Sequence, residues 1–139
     1  MVRIYLDANI LFSAAKSAGA VRGFLGDLMT CAHTLVADAY VVGEARRNIE
    51  AKFPAAKGDL ATLLAQIEFF TDVYGTLPGE IAPELPEKDR PVLAAAIQHR
   101  CDALVTGDKT HFGTLYGQQI EGVMIHSPAS LARQLDVKP

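Results

Sequence analysis

Short runs of β-branched and other apolar residues alternate along the chain with longer stretches whose apolar residues recur every three or four positions. The short runs predict buried strands, and the longer spacing predicts amphipathic helices. We predict strands in VRIYL, HTLVA, TDVYG, DALVT and GVMIH, which begin at Val2, His33, Thr71, Asp102 and Gly122. We predict helices in VRGFLGDLM, AYVVGEARRNIEAKF, DLATLLAQIEFF, RPVLAAAIQHRC and SPASLARQL, which begin at Val21, Ala39, Asp59, Arg90 and Ser127.

The order of these elements predicts the class of fold. Strands that alternate with helices form a parallel sheet with helices on both faces, connected by right-handed crossovers. Pro54 marks a break between two helices, the Pro-rich residues 77–86 are expected to form a loop, and Ser127 is the expected N-cap of the last helix. No repeat, low-complexity tract or linker interrupts the pattern, so we expect residues 1–139 to form a single α/β domain.

Length and composition agree with this expectation. The chain has 139 residues, the size of one ordinary domain, and 50% of them are hydrophobic. That proportion is typical of a packed core and too high for a disordered chain. No apolar run approaches the roughly 20 residues that a bilayer span needs, and no segment resembles a secretory signal. We therefore expect a cytoplasmic protein without a membrane segment.

Cysteine content and net charge exclude some chemistry. Cys31 and Cys101 lie far apart, match no metal-ligand spacing and have mostly apolar neighbours, so both are expected to be small buried thiols. The net charge of −3 predicts no strong non-specific attraction to nucleic acid. A nucleic-acid function therefore needs a local basic surface.

Four acidic residues are predicted at one edge of the sheet, where ligands of parallel α/β folds bind outside the carboxyl ends of the strands. Asp7 follows the first strand directly, and Asp108 follows the strand DALVT. Glu44 flanks the buried stripe near the amino end of its helix. Asp89 lies three or four residues before the first apolar positions of the helix RPVLAAAI, on the side that faces the core.

Each acid also has a structural alternative. Asp7 and Asp89 could cap helices, and Glu44 could be a solvated side chain. Asp38 is better explained as an N-cap than as part of a site, and Asp102 is excluded because it opens its strand at the opposite end of the sheet. Three polar residues could either support a site or satisfy nearby backbone groups: Asn9, Ser13 and Thr106.

Four carboxylates at one place would repel one another unless a cation or a proton compensates them. Carboxylate oxygens are ligands that Mg²⁺ and Mn²⁺ prefer. Such ions activate water and stabilise the charge that builds on a phosphate during hydrolysis. The pattern therefore predicts a divalent-metal site formed by Asp7, Glu44, Asp89 and Asp108.

Basic residues follow two of these acids. After Glu44 the chain carries a cluster that could bind phosphate beside the metal site, although a solvated helix face is the alternative. Its members are Arg46, Arg47, Lys52 and Lys57. Lys109 and His111 follow Asp108 and could also contact RNA.

Four segments together resemble the PIN-domain ribonucleases: LDANILFSA, VVGEARRNI, KDRPVLAAAI and LVTGDKTHF. They occur in order over almost the whole chain, and the similarity is greatest to the VapC-type toxins of toxin–antitoxin systems. The resemblance implies a Rossmann-like three-layer α/β/α sandwich whose mainly parallel sheet has about four to five strands. It also implies a homodimer and a cognate antitoxin protein that blocks the site.

The resemblance further implies Mg²⁺- or Mn²⁺-dependent endonucleolytic hydrolysis of RNA, which leaves 5′-phosphate and 3′-hydroxyl ends. It assigns the acidic roles to Asp7, Glu44, Asp89 and Asp108, the acids already identified at the sheet edge. It assigns supporting polar roles to Asn9 and Thr106.

Three other functions compete with this interpretation. A PIN-like domain that only binds RNA or protein is the main alternative, but binding alone would not need four acids that trap a cation. A phosphoacceptor receiver domain usually has adjacent acids after its first strand and a lysine after its last, whereas this chain has a single Asp7 and GVMIHSP. A nucleotide-binding enzyme would need a glycine-rich phosphate loop, and none follows any predicted strand.

Overall fold

The computed structural model describes residues 1–72 and 76–136, in which six strands form one sheet. The strands are β1 (Arg3–Leu6), β2 (Thr34–Asp38), β3 (Glu68–Phe70), β4 (Ala103–Val105), β5 (Gln119–Ile120) and β6 (Val123–His126). Their spatial order is β3-β2-β1-β4-β6-β5. All neighbours run parallel except β5, which pairs antiparallel with β6. β1 is therefore central, between β2 and β4.

Helices flank this sheet in the three-layer α/β/α arrangement that was expected, so the predicted fold class is confirmed. The helices are α1 (Ala8–Lys16), α2 (Ala20–Thr30), α3 (Ala39–Lys52), α4 (Lys57–Leu64), α5 (Arg90–Gln98), α6 (Lys109–Phe112) and α7 (Pro128–Gln134). Short 3₁₀ turns occupy Pro54–Ala56, Glu87–Asp89 and Gly113–Leu115. The Ser127 hydroxyl caps α7 as predicted, by accepting from the Ser130 N–H at 3.1 Å.

The sheet has more strands than the four or five expected, because two short edge strands carry little sequence signal. β5 has only two residues, too few to show any alternation. β3 lies inside the segment that was predicted as one helix from Asp59 to Phe70, and that prediction is wrong beyond Leu64. Residues 68–70 pair with β2 at the sheet edge. A third strand was instead predicted at 71–75, of which residues 73–75 lie outside the described part of the chain.

The centre of the sheet has a continuous apolar core. Ile4, Tyr5 and Leu6 of β1 are all fully buried, as is Leu104 of β4. Consecutive buried residues, without alternation, are typical of a parallel strand that is covered on both faces. The Tyr5 hydroxyl is satisfied inside this core by donating to Asp38 Oδ1 at 2.8 Å. β1 and β4 therefore form a rigid base for the residues that follow them.

The two cysteines differ in their surroundings. Cys101 is buried, as predicted, whereas the expectation of a buried Cys31 is wrong because that residue is exposed. Cys31 ends α2, where Ala32 adopts a left-handed conformation with φ of 65° and the chain turns at the surface. Among the described helices, none combines the length and the apolar character that crossing a bilayer requires.

Candidate functional site

The carboxyl ends of β1 and β4 lie side by side, because Leu6 pairs with Val105 in the parallel register. The ladder continues one step further, where the Asp7 N–H donates to the Val105 carbonyl at 3.1 Å. The polar residues that follow the two strands are thereby brought together at the centre of the sheet. In open parallel sheets a ligand site is expected at this edge, next to the central strand.

Asp7 lies at this edge and is only 5% exposed. Its Oδ1 caps α1 by accepting from the Ala8 N–H at 2.8 Å. Its Oδ2 accepts from the Thr106 hydroxyl at 2.8 Å and from the Asn9 side-chain amide at 3.2 Å. One oxygen of Asp7 therefore caps α1, and the other belongs to a polar cluster.

Asn9 and Thr106 connect Asp7 to the segment after β4. Asn9 Oδ1 accepts from the Gly107 N–H at 2.8 Å, and Thr106 Oγ1 accepts from the Asp108 N–H at 3.1 Å. A Cβ at position 107 would lie 3.4 Å from Asn9 Oδ1, so a side chain there would crowd this contact. On the other side of the segment, the Tyr116 hydroxyl donates to the Thr106 carbonyl at 2.8 Å.

Asp108 and His111 form the next part of the cluster. Asp108 caps α6 through Oδ1, which accepts from the His111 main-chain N–H at 3.1 Å. Its Oδ2 lies 2.8 Å from Nδ1 of the His111 ring. The first turn of α6 therefore directs the imidazole back towards the strand end.

Asp89 reaches the cluster from the start of α5. It occupies the N-cap position of that helix, but its carboxylate makes no capping hydrogen bond. The backbone around it is held in place: the Tyr40 hydroxyl donates to the Lys88 carbonyl, and the buried Arg90 guanidinium ties the preceding loop to α5. Arg90 does so by donating to the carbonyls of Pro78, Ile81 and Ala82.

Asp89, Asp108 and His111 converge on one point. One donor atom from each lies within 4.8 Å of the other two, and Asp89 Oδ2 is 3.0 Å from His111 Nδ1. Asp89 Oδ2 and His111 Nδ1 are both buried and find no hydrogen-bond partner among the described residues. Two carboxylates and an imidazole at this spacing, two of whose ligand atoms are buried without a hydrogen bond, are suited to a divalent cation, so the side chains fit such an ion.

Glu44 lies on the open side of this cluster. It projects from α3, is exposed, and lines an open cleft of about 460 Å³ together with Asn9, Ser13 and Asp108. Its charge acts on both Asp7 and Asp89. Glu44 and Asp108 therefore line one cleft with Asn9 and Ser13. The other two predicted acids are linked to it by contacts, because Asp7 accepts from Asn9 and Thr106 and Asp89 lies 3.0 Å from His111, the neighbour of Asp108.

The electrostatics of the site favour a bound cation. Burial raises the pKa of Asp7 to about 6, against the opposing effect of its bonds from Thr106 and Ala8, and the charges of Glu44 and Asp89 raise it further. Burial also raises the pKa of Asp89, while His111 opposes that shift. In both cases the ionised form is disfavoured by its surroundings, and a cation would relieve that cost.

The basic residues do not form one surface. Arg47 lies within range of Tyr40, whose pKa is raised by burial and by the charges of the acidic cluster, and the charge of Arg47 opposes that shift. Arg46 instead lines a cleft between α3 and α4 with Lys57, and Lys57 pairs with Glu50 at 3.6 Å. Two further lysines lie elsewhere. Lys52 is over the ring of Phe12 at 5.8 Å from its centroid, and Lys109 is exposed on α6 beside Asp108.

Two other acids lie outside the cluster. Asp38 caps α3 by accepting from the main-chain N–H groups of Tyr40 and Val41, which confirms the N-cap interpretation. Asp102 lies before β4 and accepts from the Arg3 N–H at 2.9 Å, at the opposite end of the strands. Its exclusion from the site on geometric grounds is also confirmed.

Sequence reasoning did not place His111 among the possible metal ligands. The signal was present, since a residue three positions after a helix N-cap lies on the same side of the first turn. Arg90 and Tyr116, which fix the loops on either side of the cluster, were also missed. Their roles depend on contacts with backbone carbonyls, and no motif in the sequence indicates such contacts.

Comparison with known proteins finds a family model that matches the chain. The family model for the PIN domain matches residues 3–110, and no curated protein matches the chain by sequence. Among solved structures, a chain of VapBC2 from Rickettsia felis, bound to a DNA fragment from its promoter, is similar with a TM-score of 0.64. The identity is 17%, over 90% of this chain and 98% of that chain.

Two further structures share the fold. VapC20 from Mycobacterium tuberculosis, described as a sarcin-ricin loop cleaving toxin, has a TM-score of 0.57 at 15% identity, over 80% of this chain and 94% of its own. A chain of FitAcB from Neisseria gonorrhoeae has a TM-score of 0.55 at 18% identity, over 91% and 98%. The family match covers more than half of the sequence and includes Asp7, Glu44, Asp89 and Asp108. The chain therefore belongs to the PIN domain family.

Proposed function

We propose that residues 1–139 form a single PIN-like domain that acts as a divalent-metal-dependent endoribonuclease, the toxin of a toxin–antitoxin pair. Membership of the PIN domain family supports a nuclease, and VapC20, which has the same fold, is described as cleaving the sarcin-ricin loop. Within this chain, the acidic cluster at the ends of β1 and β4 supports metal-dependent chemistry on a phosphate.

The observation that carries the proposal is the state of Asp89. Asp89 precedes α5 with helical backbone angles (φ −98°, ψ −13°), and the proline in the first turn of that helix has no N–H to donate, so its carboxylate is not held as a cap. Asp89 makes no capping bond, its Oδ2 is buried without a hydrogen-bond partner in the described chain, and burial raises its pKa. Burial of a carboxylate oxygen without a hydrogen bond is costly, even with the His111 ring 3.0 Å away. A cation shared with Asp108 would remove that cost.

In this proposal Asp7, Asp89 and Asp108 hold the divalent ion, Mg²⁺ or Mn²⁺. The bound ion supplies Lewis acidity, which activates water and neutralises the charge that builds on the phosphate. Thr106 and Asn9 fix the orientation of the Asp7 carboxylate through their bonds to Oδ2. The loop that Arg90 anchors holds Asp89 at the start of α5.

Glu44 has the open position at the cleft, where a substrate phosphate can arrive. Its carboxylate accepts the proton that the attacking water releases as the new bond to phosphorus forms. The bond from phosphorus to the 3′-oxygen breaks, and that oxygen takes up a proton from solvent. The products carry 5′-phosphate and 3′-hydroxyl ends. Arg47 and Lys109, beside the cluster, contact the flanking phosphates.

The test is incubation of the protein with several structured RNAs in Mg²⁺, in Mn²⁺ and in EDTA, with mapping of the product ends. Wild-type protein is expected to cleave in either ion and not in EDTA. Asp89→Asn removes a ligand charge at nearly constant volume, so cleavage should fall by about 100-fold or more, the equivalent of about 3 kcal/mol of transition-state stabilisation.

Asp102→Asn is the matched control, because it makes the same substitution at an exposed acid on the opposite end of β4. It should cleave like the wild-type protein. Undiminished cleavage in EDTA would contradict the metal mechanism. A folded wild-type protein that binds RNA and cuts none of the substrates would favour the alternative, a PIN-like domain that only binds RNA or protein.

We further propose a cognate antitoxin protein as partner. The support is that the similar structures include a chain of VapBC2 bound to a DNA fragment from its promoter and a chain of FitAB bound to an IR36 DNA fragment. Expression of the chain alone in a bacterial host should arrest growth, and expression of Asp89→Asn to the same level should not. If both proteins arrest growth at equal levels, toxicity does not depend on the acidic site.

The resemblance also supports a homodimer, and the structure leaves Phe69 on edge strand β3 42% exposed, where a second copy could cover it. Sedimentation equilibrium should then give twice the chain mass of 14.9 kDa. A mass that stays at the single-chain value up to high micromolar concentration would exclude the dimer.

A further inference from the structure

His111 has a position that the roles described so far do not explain. It lies in the first turn of α6, with its side chain 27% exposed and its ring pointing at the cluster. Nδ1 lies 2.8 Å from Asp108 Oδ2 and 3.0 Å from Asp89 Oδ2. Its main-chain N–H already satisfies Asp108 Oδ1, so capping α6 does not require the imidazole.

Hydrogen bonding does not account for this placement either. An imidazole Nδ1 carries at most one hydrogen, which lies in the ring plane and can point at one acceptor. Although both carboxylate oxygens are within ion-pair distance, Nδ1 makes no bond of acceptable geometry to any described residue. Asp89 Oδ2 is likewise buried and unsatisfied there. The two atoms therefore face each other at 3.0 Å, within ion-pair distance but without a hydrogen bond between them.

The spacing of these atoms is that of ligands around a common centre. Ligands at 2.0–2.1 Å in an octahedral site lie about 2.9 Å from their neighbours. Nδ1 of His111 is 2.8 and 3.0 Å from its two oxygen neighbours. We propose that His111 supplies a nitrogen ligand, through Nδ1, to the metal centre formed by Asp89 and Asp108, and that this nitrogen gives the centre a preference for Mn²⁺ over Mg²⁺.

The chemistry of the donor atom sets this preference. Carboxylate and water oxygens suit Mg²⁺ and Mn²⁺ alike, whereas an imidazole nitrogen suits transition metals and adds little for the harder Mg²⁺. A site whose protein donors are carboxylate oxygens alone would discriminate weakly between the two ions. Exchange of one oxygen donor for the nitrogen of His111 shifts that balance towards Mn²⁺.

This inference rests on the proposed function, because it concerns the same metal centre. It goes further in naming a ligand that is not an acid and in predicting which ion the centre selects. The two can fail separately, since metal coordination is measured on the protein with the ion alone and RNA cleavage is measured with substrate.

The experiment compares wild-type protein with His111→Gln, which replaces the ring nitrogen by an amide of similar reach. Titration calorimetry with Mn²⁺ and with Mg²⁺ measures both affinities. Pulsed electron paramagnetic resonance of the Mn²⁺-loaded protein detects coupling to a directly bound ¹⁴N nucleus. Thermal unfolding in EDTA checks that both proteins are folded.

We expect ¹⁴N coupling in the wild-type protein and none in His111→Gln. Substitutions of outer-shell partners already weaken metal binding by about 10- to 100-fold, so loss of a direct ligand should weaken Mn²⁺ binding by at least about tenfold. Mg²⁺ binding should change by less than about threefold, because the nitrogen contributes little to it. The ratio of the two affinities should therefore fall.

His33→Gln is the matched histidine control. His33 Nδ1 accepts from the Val2 N–H at the amino end of the strands, so this variant should keep both the ¹⁴N coupling and the affinity ratio.

Wild-type protein that binds Mn²⁺ without ¹⁴N coupling would overturn the inference, as would equal losses of Mn²⁺ and Mg²⁺ affinity in His111→Gln. If RNA is cleaved in the first case, the proposed function stands and only the nitrogen ligand is rejected. If coupling is present and no RNA is cleaved, the nitrogen ligand stands and the proposed function fails.

Discussion

Asp7 shows how a single side chain can serve the fold and the site with different atoms. Its Oδ1 caps α1, and its Oδ2 belongs to the polar cluster with Thr106 and Asn9. The cap explains why an aspartate is stable at the end of β1. Its pKa is raised to about 6 because burial and the nearby charges of Glu44 and Asp89 destabilise the ionised carboxylate.

Because the buried charge of Asp7 destabilises the metal-free protein, we predict that Asp7→Asn increases its stability. Asparagine is as good an N-cap as aspartate and carries no charge, although its amide meets the Asn9 donor less well. At pH 7.5 in EDTA the variant should be more stable than wild type by roughly 1 kcal/mol. Urea unfolding of both proteins measures the difference. A pure capping role predicts a modest loss or no change instead.

The same comparison has a defined pH dependence. The pKa of Asp7 in the folded protein, about 6, lies above its ordinary value of 3.8. Protonation of Asp7 therefore stabilises the fold fully below about pH 4, and this contribution is lost as the pH rises through about 6. The advantage of Asp7→Asn in EDTA should vanish or reverse at pH 4.5 and be present at pH 7.5. If the two proteins differ in free energy of unfolding by the same amount at both pH values, the raised pKa of Asp7 and its place in a buried acidic cluster are contradicted.

At the scale of elements, one local arrangement recurs at three strand ends. Asp7, Asp38 and Asp108 lie at or shortly after the ends of β1, β2 and β4, and each caps the next helix. A cap is therefore no evidence against a catalytic role. What distinguishes Asp38 is its surroundings, because it is fully buried and its Oδ1 also accepts from the Tyr5 hydroxyl in the core.

We predict that Asp38→Ala destabilises the protein without changing the chemistry of the site. Loss of the α3 cap costs about 1 kcal/mol, and the buried Tyr5 hydroxyl left without its acceptor costs about 1–3 kcal/mol more. Urea unfolding should therefore show a loss of about 2–4 kcal/mol. Tyr5→Phe, which keeps the cap, is the control and should lose about 1 kcal/mol. RNA cleavage per folded molecule of Asp38→Ala should equal that of wild type. A selective loss of cleavage would place Asp38 in the site.

Much of the fold was predictable from the sequence, because its long elements bury one face each. The pattern predicted β1, β2, β4 and β6 within one or two residues and α3 within one, whereas the predicted α5 extends three residues past its observed end at Gln98. It failed at β3, where the apolar positions of 67–70 continue the helical spacing of α4. Only the pairing with β2 at the sheet edge decides that these residues form a strand. Such a contact depends on the tertiary structure and is not encoded in local periodicity.

The site was predictable to a similar extent and for a similar reason. Asp7 and Asp108 could be predicted because parallel strands end at one edge, a rule that needs only the order of the elements. His111 could not be ranked as a ligand, because the bend at α6 that returns its ring to Asp89 depends on the capping bond to Asp108.

At the scale of the whole molecule, a net charge of −3 must still allow a polyanion to approach an acidic site. The arrangement of the basic residues makes this feasible. Residues three apart share a helix face and residues two apart do not, so Arg47 lies on the same side as Glu44 and Arg46 lies opposite. Arg47 lies near Tyr40, and Lys109 is exposed directly after Asp108, whereas Arg46 and Lys57 line a separate cleft with Glu50. RNA binding should therefore depend on position as well as on total charge.

Two double variants with the same change of charge test this dependence: Arg47→Ala with Lys109→Ala, and Arg46→Ala with Lys57→Ala. Each phosphate contact on a single strand contributes about 0.7 to the slope of log affinity against log salt. With a single-stranded RNA in EDTA, which prevents cleavage, the first pair should lower that slope by about 1.4. The second pair should leave the slope near the wild-type value, because Lys57 already pairs with Glu50. Equal reductions in both pairs would mean that RNA responds only to total charge. A larger reduction in the second pair would place the RNA path over α3 and α4, away from the acidic cluster.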